Sequence, residues 1–172
     1  YLMTRIGKQA PAWVAAPEIV LALSLYRGLA CYGEIPHGAF FLCLTGLICA
    51  LTDIFAYLVG SRFGRHKLAP KISPGKSIEG ALGGLGITVV LIVLVFGRFF
   101  DDIGTLMLYT AVVSILGQFG DLSMSAVKRV AGVKDFGHIF PGHGGILDRC
   151  DSLMYPLAFT WLLYCAQGWI FA

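Results

Sequence analysis

The sequence predicts an all-α membrane protein, a polytopic bundle of about five transmembrane helices with a polar site at one face of the bilayer. Of the 172 residues, 57% are hydrophobic and only 13% are charged, which is more apolar surface than a soluble domain of this size buries. Several windows meet the roughly 20 apolar residues that a helix needs to cross a hydrocarbon core about 30 Å thick. Charged residues concentrate between these windows, in polar loops at 61–79 and 121–147.

The first two windows differ in how many charges they contain. Residues 11–32 include Glu18 and Arg27 within an apolar run, whereas residues 38–60 are interrupted only by Asp53. The second window is the better candidate for a span, because a charge inside the bilayer is costly.

Three further windows complete the predicted bundle. Residues 80–97 and 103–120 contain no charge, and residues 146–170 start with charged residues and become apolar only after Ser152. We expect the charged start of this last helix to lie at the membrane surface. Because the chain opens with Tyr1 instead of Met, we expect amino-terminal helices of a longer protein to precede it.

Lysine and arginine are distributed asymmetrically around these windows. The amino terminus and both polar loops are basic, whereas the connection between the first two windows contains no lysine or arginine. The basic residues are Arg5, Lys8, Arg62, Arg65, Lys67, Lys71, Lys76, Lys128, Arg129 and Lys134. The positive-inside rule then orients all three basic segments toward the cytoplasm and the turn at Asp101 and Asp102 outward. Both polar loops therefore meet at one membrane face.

Small residues in the windows are predicted to serve helix packing. A glycine cluster at the start of the third window, Gly80, Gly83, Gly84 and Gly86, would let a neighbouring helix approach closely. The five cysteines show no CxxC or Cys/His spacing of the kind found in zinc sites. We interpret them as small packing residues.

Charged groups near membrane depth are costly, so four aspartates need a partner, a metal ion or water. They are Asp53, Asp121, Asp148 and Asp151. Any one of them could instead cap a helix or lie at the interface. Carboxylates suit Mg²⁺, which completes its shell with water and phosphate oxygens. Asp121 and Asp148 are the natural candidates, because each lies where an apolar window meets a polar loop.

Several other groups are compatible with phosphate. His143, Gly144 and Gly145 belong to a PGHGG turn before a helix, whose backbone amides could hold phosphate oxygens. A glycine turn that caps a helix explains this pattern equally well. The cations that could neutralise phosphate are Lys128, Arg129, Lys134 and Arg149. Cytoplasmic loops are basic in any case, so this set alone does not decide the function.

The first polar loop ends in KISPGKSIEG, a short polar turn. Ser73, Lys76 and Ser77 of this turn could contact a ligand on the same face. Ser77 could equally cap the helix that follows.

The stretch SAVKRVAGVKDFGHIFPGHGGILDRCD closely resembles the signature of phosphatidate cytidylyltransferases, also called CDP-diacylglycerol synthases. The match includes Ser125, Lys128, Arg129, Lys134, Asp135, His143, Gly144, Gly145, Asp148, Arg149 and Asp151. Upstream, DIFAYLVGSRFGRHKLAPKISPGKSIEG looks like the family's second shared region. The resemblance covers about the carboxy-terminal two thirds of the chain.

The resemblance implies that residues 1–172 form one transmembrane catalytic domain. The implied reaction joins CTP to phosphatidic acid and yields CDP-diacylglycerol and pyrophosphate. Mg²⁺ and a potassium-like second cation would be held by Asp121 and Asp148. The implied protein is a homodimer in the bacterial inner membrane, in contact with membrane lipid and without nucleic acid, and its site faces the cytoplasm.

Roles for individual residues follow from the same resemblance and from their charge. Catalytic roles are expected for Asp121, Lys128, Arg129, Asp148, Arg149 and Asp151. Substrate contacts are expected for Ser73, Lys76, Ser77, Ser125, Lys134, Asp135, His143, Gly144 and Gly145.

Three other functions compete with this interpretation. An ion-coupled transporter would also have aspartates and glycine-broken helices, but its polar residues would lie at mid-membrane, whereas here they gather at helix ends and in loops. A CDP-alcohol phosphotransferase would show aspartates along helices around a DG and AR pattern, which is absent. A structural scaffold has no need for so many phosphate-compatible groups.

Overall fold

The computed structural model of the protein describes residues 38–70, 72–130 and 152–167. In chain order its elements are α1 (Gly38–Phe63), β1 (Lys67–Ala69), β2 (Ser73–Ser77), α2 (Ile78–Phe96), a 3-10 turn (Gly97–Phe99), α3 (Ile103–Val130) and α4 (Met154–Gln167). Among the described residues, three helices are long and apolar enough to cross a membrane: α1, α2 with its 3-10 extension, and α3. The protein is thus a mostly helical, integral membrane protein.

The observed helices match the second, third and fourth predicted windows. The helix expected over 103–120 continues to Val130, because buried Met124 and Val127 extend its apolar face past Gly120. In the fifth window, α4 begins only at Met154 and has 14 residues. The first window lies outside the described residues, so the total of five spans stays a prediction.

Two short strands add a feature that the all-α prediction lacked. The antiparallel pair β1–β2 lies between α1 and α2, with Lys67 opposite Ser77 and Ala69 opposite Ser73. Their segment is too polar and too rich in proline and glycine to continue either helix. Pairing between the strands therefore satisfies backbone groups of this loop itself.

Glycines bring α1 and α2 into backbone contact. A Cβ atom added at Gly84 would lie 2.8 Å from both the amide nitrogen of Ala56 and the carbonyl oxygen of Thr52. One at Gly80 would lie 2.9 Å from the Cα atom of Gly60. The predicted packing role is confirmed here, and Gly83 likewise faces Val59. For Gly86, no described residue lies within 4 Å of an added Cβ atom, so its packing role stays a prediction.

Hydroxyl groups join the helices inside the apolar layer. Thr52 donates to the carbonyl of Ile48 in its own helix, and its oxygen lies 2.5 Å from the Ser114 hydroxyl of α3. It also lies 3.5 Å from the hydroxyl of Thr88 in α2. Since no water competes in this layer, such contacts help to set the register of the three helices.

The two ends of the bundle differ in character. At one end Phe40, Phe41, Phe96, Phe100 and Tyr109 pack in edge-on and tilted ring contacts. At the other end lie the hairpin, the carboxy-terminal half of α3 and the start of α4. The predicted site residues that the structure describes all lie at the polar end.

Candidate active site

A cleft of about 440 Å³ opens at the polar end, where four elements meet. Its walls come from α1, the β1–β2 hairpin, the start of α2 and the middle of α3. Its polar lining residues are Asp53, Ser73, Lys76, Ser77, Gln118 and Asp121. Three predicted substrate contacts and one predicted metal ligand are therefore brought into one cavity.

The hairpin is anchored to α2 through Glu79. Its carboxylate accepts hydrogen bonds from the backbone amides of Arg65 and His66, at 3.2 Å each. It also lies 2.6 Å from Nδ1 of the His66 ring. The His66 carbonyl in turn accepts from the amide of Ile78 at 2.9 Å. The start of the hairpin is thus held to the start of the helix.

Ser77 ends the hairpin and begins α2. Its side chain accepts a hydrogen bond from the amide of Gly80 at 3.1 Å, and its extended backbone is that of a helix N-cap. Of the two interpretations left open by the sequence, capping is confirmed. Ser77 is buried, although it still forms part of the cleft wall.

Lys76 and Asp121 form an ion pair across the cleft. The pair joins β2 to α3, two elements far apart in the sequence. Their side chains are only 27% and 32% exposed, so water screens the contact incompletely. Asp53 of α1 faces the same cleft and interacts electrostatically with both partners. Asp121 is therefore paired with the ammonium group, and Asp53 lies within electrostatic reach of both charges.

The other predicted residues of α3 follow Asp121 along the helix. Ser125 and Lys128 come four and seven residues after Asp121, on the same helix face. Ser125 is half-buried, and Lys128 is buried. Arg129 is exposed, and its Nε donates to the backbone carbonyl of Ile72 at 3.3 Å. Arg129 thereby fastens the hairpin turn to the end of α3.

The remaining predicted site residues lie outside the described residues. They are Lys134, Asp135, His143, Gly144, Gly145, Asp148, Arg149 and Asp151. The predicted approach of Asp148 to Asp121 therefore stays a prediction. Ser152, the first described residue after this segment, lies next to the site, since it makes a hydrogen bond with Asp53.

The donor set in the cleft fits a hard cation. Mg²⁺ typically binds through one or two carboxylates and completes its shell with water and phosphate, and Asp53 and Asp121 are two such carboxylates. Lys76 already holds a positive charge against Asp121. Within residues 38–70, 72–130 and 152–167, no group of three or more His, Cys, Asp or Glu is close enough to hold a metal by itself. Any further ligands would come from substrate, water or the rest of the chain.

Sequence reasoning did not single out Gln118, a polar residue of the cleft wall. Its Nε2 donates to the carbonyl of Ala81 at 3.2 Å and so joins α3 to α2. The available signal was an amide side chain alone in an otherwise apolar window, since such a group needs a partner in the membrane. Asp53 was recognised as needing a partner, but its place beside Asp121 required the folded structure.

The fold and the site define a helical membrane protein with a cleft at one end of the bundle, lined by two carboxylates and a lysine. The chain belongs to the cytidylyltransferase family, whose model matches residues 5–166. It is similar to the phosphatidate cytidylyltransferase of Staphylococcus haemolyticus strain JCSC1435, with 48% identity over 128 residues. The enzyme of the same name from Staphylococcus epidermidis strain RP62A is 50% identical over 129 residues.

Each of these alignments covers 73% of this chain and 49% of the relative. The chain thus spans about half the length of the curated relatives it matches. The family resemblance predicted from the two sequence motifs is confirmed.

Proposed function

We propose that the protein transfers a cytidylyl group from CTP to phosphatidic acid and releases pyrophosphate. Membership of the cytidylyltransferase family, with relatives named phosphatidate cytidylyltransferase, is the observation that carries this proposal. The polar cleft supports it, because the substrates are both anionic and the cleft combines Lys76 with carboxylates that suit a cation. An ion-coupled transporter is the second candidate, but the family match favours the enzyme.

In this reaction a phosphate oxygen of phosphatidic acid attacks the α-phosphorus of CTP. A bond forms between them, and the bond from the α-phosphorus to the oxygen that bridges to the β-phosphorus breaks. The electron pair leaves with pyrophosphate. Since the attacking oxygen is already ionised at neutral pH, the reaction needs no strong general base. Positioning and charge neutralisation are expected to dominate.

The chain's own residues supply that neutralisation. Lys76 projects into the cleft and would meet a phosphate oxygen there. Arg129 uses Nε to hold the hairpin, and its guanidinium would grip phosphate through the terminal nitrogens. Lys128, on the same helix face as Asp121, and Arg149 would add charge as pyrophosphate departs.

Asp121, together with Asp148 and aided by Asp53, would hold Mg²⁺ and a potassium-like second cation. When bound, such ions neutralise phosphate charge and orient the phosphoryl groups. The PGHGG segment with His143, Gly144 and Gly145 would hold phosphate oxygens through backbone amides. Ser73, Ser77, Ser125, Lys134 and Asp135 remain proposed substrate contacts, and Asp151 a proposed catalytic residue.

The proposed setting is the cytoplasmic face of a bacterial inner membrane, in a homodimer. The basic segments on the hairpin side support this orientation through the positive-inside rule. Phosphatidic acid would enter from the inner leaflet with its acyl chains in lipid and its phosphate at the cleft.

The decisive experiment offers the purified full-length protein phosphatidic acid with each of the four ribonucleoside triphosphates in turn. We expect pyrophosphate and a nucleotide-linked lipid with CTP, and little product with ATP, GTP or UTP. A protein that releases no pyrophosphate, but moves an ion or solute across vesicles, would instead support the transporter. Product formation from a CDP-linked lipid and a free alcohol would point to a phosphotransferase.

A further inference from the structure

The ion pair between Lys76 and Asp121 raises a question about cation binding. A carboxylate whose oxygen already accepts from an ammonium group cannot offer its full charge to a metal ion. Mg²⁺ depends on that charge, and a metal-bound Asp121 would leave Lys76 facing a divalent cation. The two cations therefore compete for one carboxylate.

The ammonium group of Lys76 can leave Asp121 without a change in the hairpin backbone. Its ammonium sits on a flexible four-carbon stem, and it follows the exposed residue Gly75 in β2. The hairpin is held independently of it, by Glu79 at the backbone amides of Arg65 and His66 and by Arg129 at the carbonyl of Ile72. Releasing Lys76 from Asp121 would thus leave the fold of the hairpin intact.

We infer that Lys76 is a tethered counter-ion: it occupies Asp121 in the ligand-free protein, is displaced when a divalent cation binds, and then pairs with a phosphate of the nucleotide. Binding of the metal and of the anion would then be coupled, because each removes an obstacle to the other. The assignment of CTP as that anion depends on the proposed function, whereas the competition at Asp121 does not.

Substitution of Lys76 should have opposite effects on the two ligands. In full-length protein without nucleotide, we expect K76Q to bind Mn²⁺ about fivefold more tightly than wild type in an electron paramagnetic resonance titration. At saturating Mn²⁺ we expect the same variant to bind CTP at least about fivefold more weakly by calorimetry. K67Q is the matched control, since Lys67 is an exposed lysine of the same hairpin, and both affinities should stay at the wild-type values.

If K76Q does not fold, the competition at Asp121 can be tested on the wild-type protein instead. Acetylation of lysines, followed by mass spectrometry, should show Lys76 reacting slowly without ligand, faster with Mn²⁺, and slowly again with Mn²⁺ and CTP. Lys67 provides the internal reference, and its rate should not change.

The outcomes distinguish a failure of the proposed competition at Asp121 from a failure of the proposed cytidylyl transfer. Equal or weaker Mn²⁺ binding by K76Q, or a Lys76 acetylation rate that Mn²⁺ does not raise, would overturn the competition at Asp121 even in an active enzyme. Such a result would mean that the pair is a permanent structural link. If wild type bound no CTP at saturating Mn²⁺, the proposed function and the transfer of Lys76 to the nucleotide would both be overturned.

Discussion

Asp121 carries more of the proposed chemistry than any other described residue. Its carboxylate pairs with Lys76 and lies in the same cleft as Asp53 and Gln118. A hydrophobic helix tolerates such a charge at this depth because a cation and a polar cavity accompany it. The residue therefore links the hairpin, the proposed metal and the proposed phosphate site.

Replacing Asp121 with asparagine should remove the negative charge while keeping the shape of the side chain. We expect CTP-dependent pyrophosphate release to fall by about 100-fold or more, as when a group that stabilises transition-state charge is lost. Asp101→Asn is the control, because this exposed aspartate lies at the opposite end of the bundle. Near-normal turnover in the Asp121 variant would refute the proposed role.

Asp102 provides a pH-dependent prediction outside the membrane-spanning helices. Hydrogen bonds from the Thr105 hydroxyl and from the amides of Gly104 and Thr105 lower the pKa of its carboxyl group. Since the folded-state pKa lies below the unfolded value, which is about 3.9, this carboxylate stabilises the fold fully above that pH. The contribution is lost as the pH falls through the folded-state pKa.

Thermal melting in detergent tests whether the Asp102 carboxylate stabilises the fold in this way. Asp102→Ala should melt at a lower temperature than wild type at pH 7, and the difference should shrink as the pH falls below about 4. Asp101→Ala should melt close to wild type at both pH values. A difference for Asp102→Ala that grew on acidification would contradict the assignment.

The contact between α1 and α2 shows how elements rather than single residues determine the packing. Gly80 and Gly84 let the backbones meet, whereas Gly86, two residues beyond Gly84, has no described residue within 4 Å of an added Cβ atom. The same residue type thus serves packing at one helical face and weakens the helix at another.

Alanine substitutions at Gly84 and Gly86 should therefore change the free energy of unfolding in opposite directions. Gly84→Ala places a Cβ atom 2.8 Å from backbone atoms of α1, and we expect a loss of about 1–3 kcal/mol in the free energy of unfolding. Gly86→Ala should raise it by roughly 0.5–1 kcal/mol through helix propensity. Denaturant titrations of both variants in the same detergent provide the comparison. Equal effects would show that the helices do not meet at Gly84.

The hydroxyl contact between Thr52 of α1 and Ser114 of α3 can be tested with a second pair of variants. Thr52→Val removes the oxygen that lies 2.5 Å from the Ser114 hydroxyl, and we expect a loss of about 0.6–1.7 kcal/mol. Thr110→Val is the matched control. It is equally buried, but its hydroxyl donates to Leu106 within its own helix. If both variants lost the same stability, the contact between helices would contribute nothing beyond burial.

The whole molecule has a polar end and an aromatic end, and which of them faces the cytoplasm can be tested. The positive-inside rule predicts that the hairpin end faces the cytoplasm and the turn before α3 faces outward. Single cysteines introduced at the exposed positions Gly75 and Asp101 report on the two ends.

In intact bacterial cells, a membrane-impermeant maleimide should label Asp101→Cys and not Gly75→Cys, relative to the parent protein with its native cysteines. After permeabilisation both variants should react. Labelling of position 75 in intact cells would reverse the orientation and move the cleft to the outer face.

Much of this architecture was predictable from hydropathy and residue type. Among the described residues, three of the predicted windows appear as helices long enough to cross a membrane, and a fourth contains the shorter helix α4. A lipid-facing segment must satisfy its backbone internally whatever its neighbours are. The family was predictable because the two polar motifs preserve residue types at fixed spacings. The hairpin was not predicted, because short strands pair through backbone contacts that leave little trace in a polar, proline-containing loop.

Local chemistry therefore established the class of protein, the approximate spans and the candidate residues. Spans depend on hydrophobicity within one segment, and motifs depend on residue types along the chain, so both can be obtained from the linear order. The pairing of Lys76 with Asp121, the position of Asp53 in the same cleft and the entry of Gln118 into it required the packed bundle. These contacts join residues on different elements, and the packing of the helices together with the position of the hairpin determines which side chains come within reach of each other.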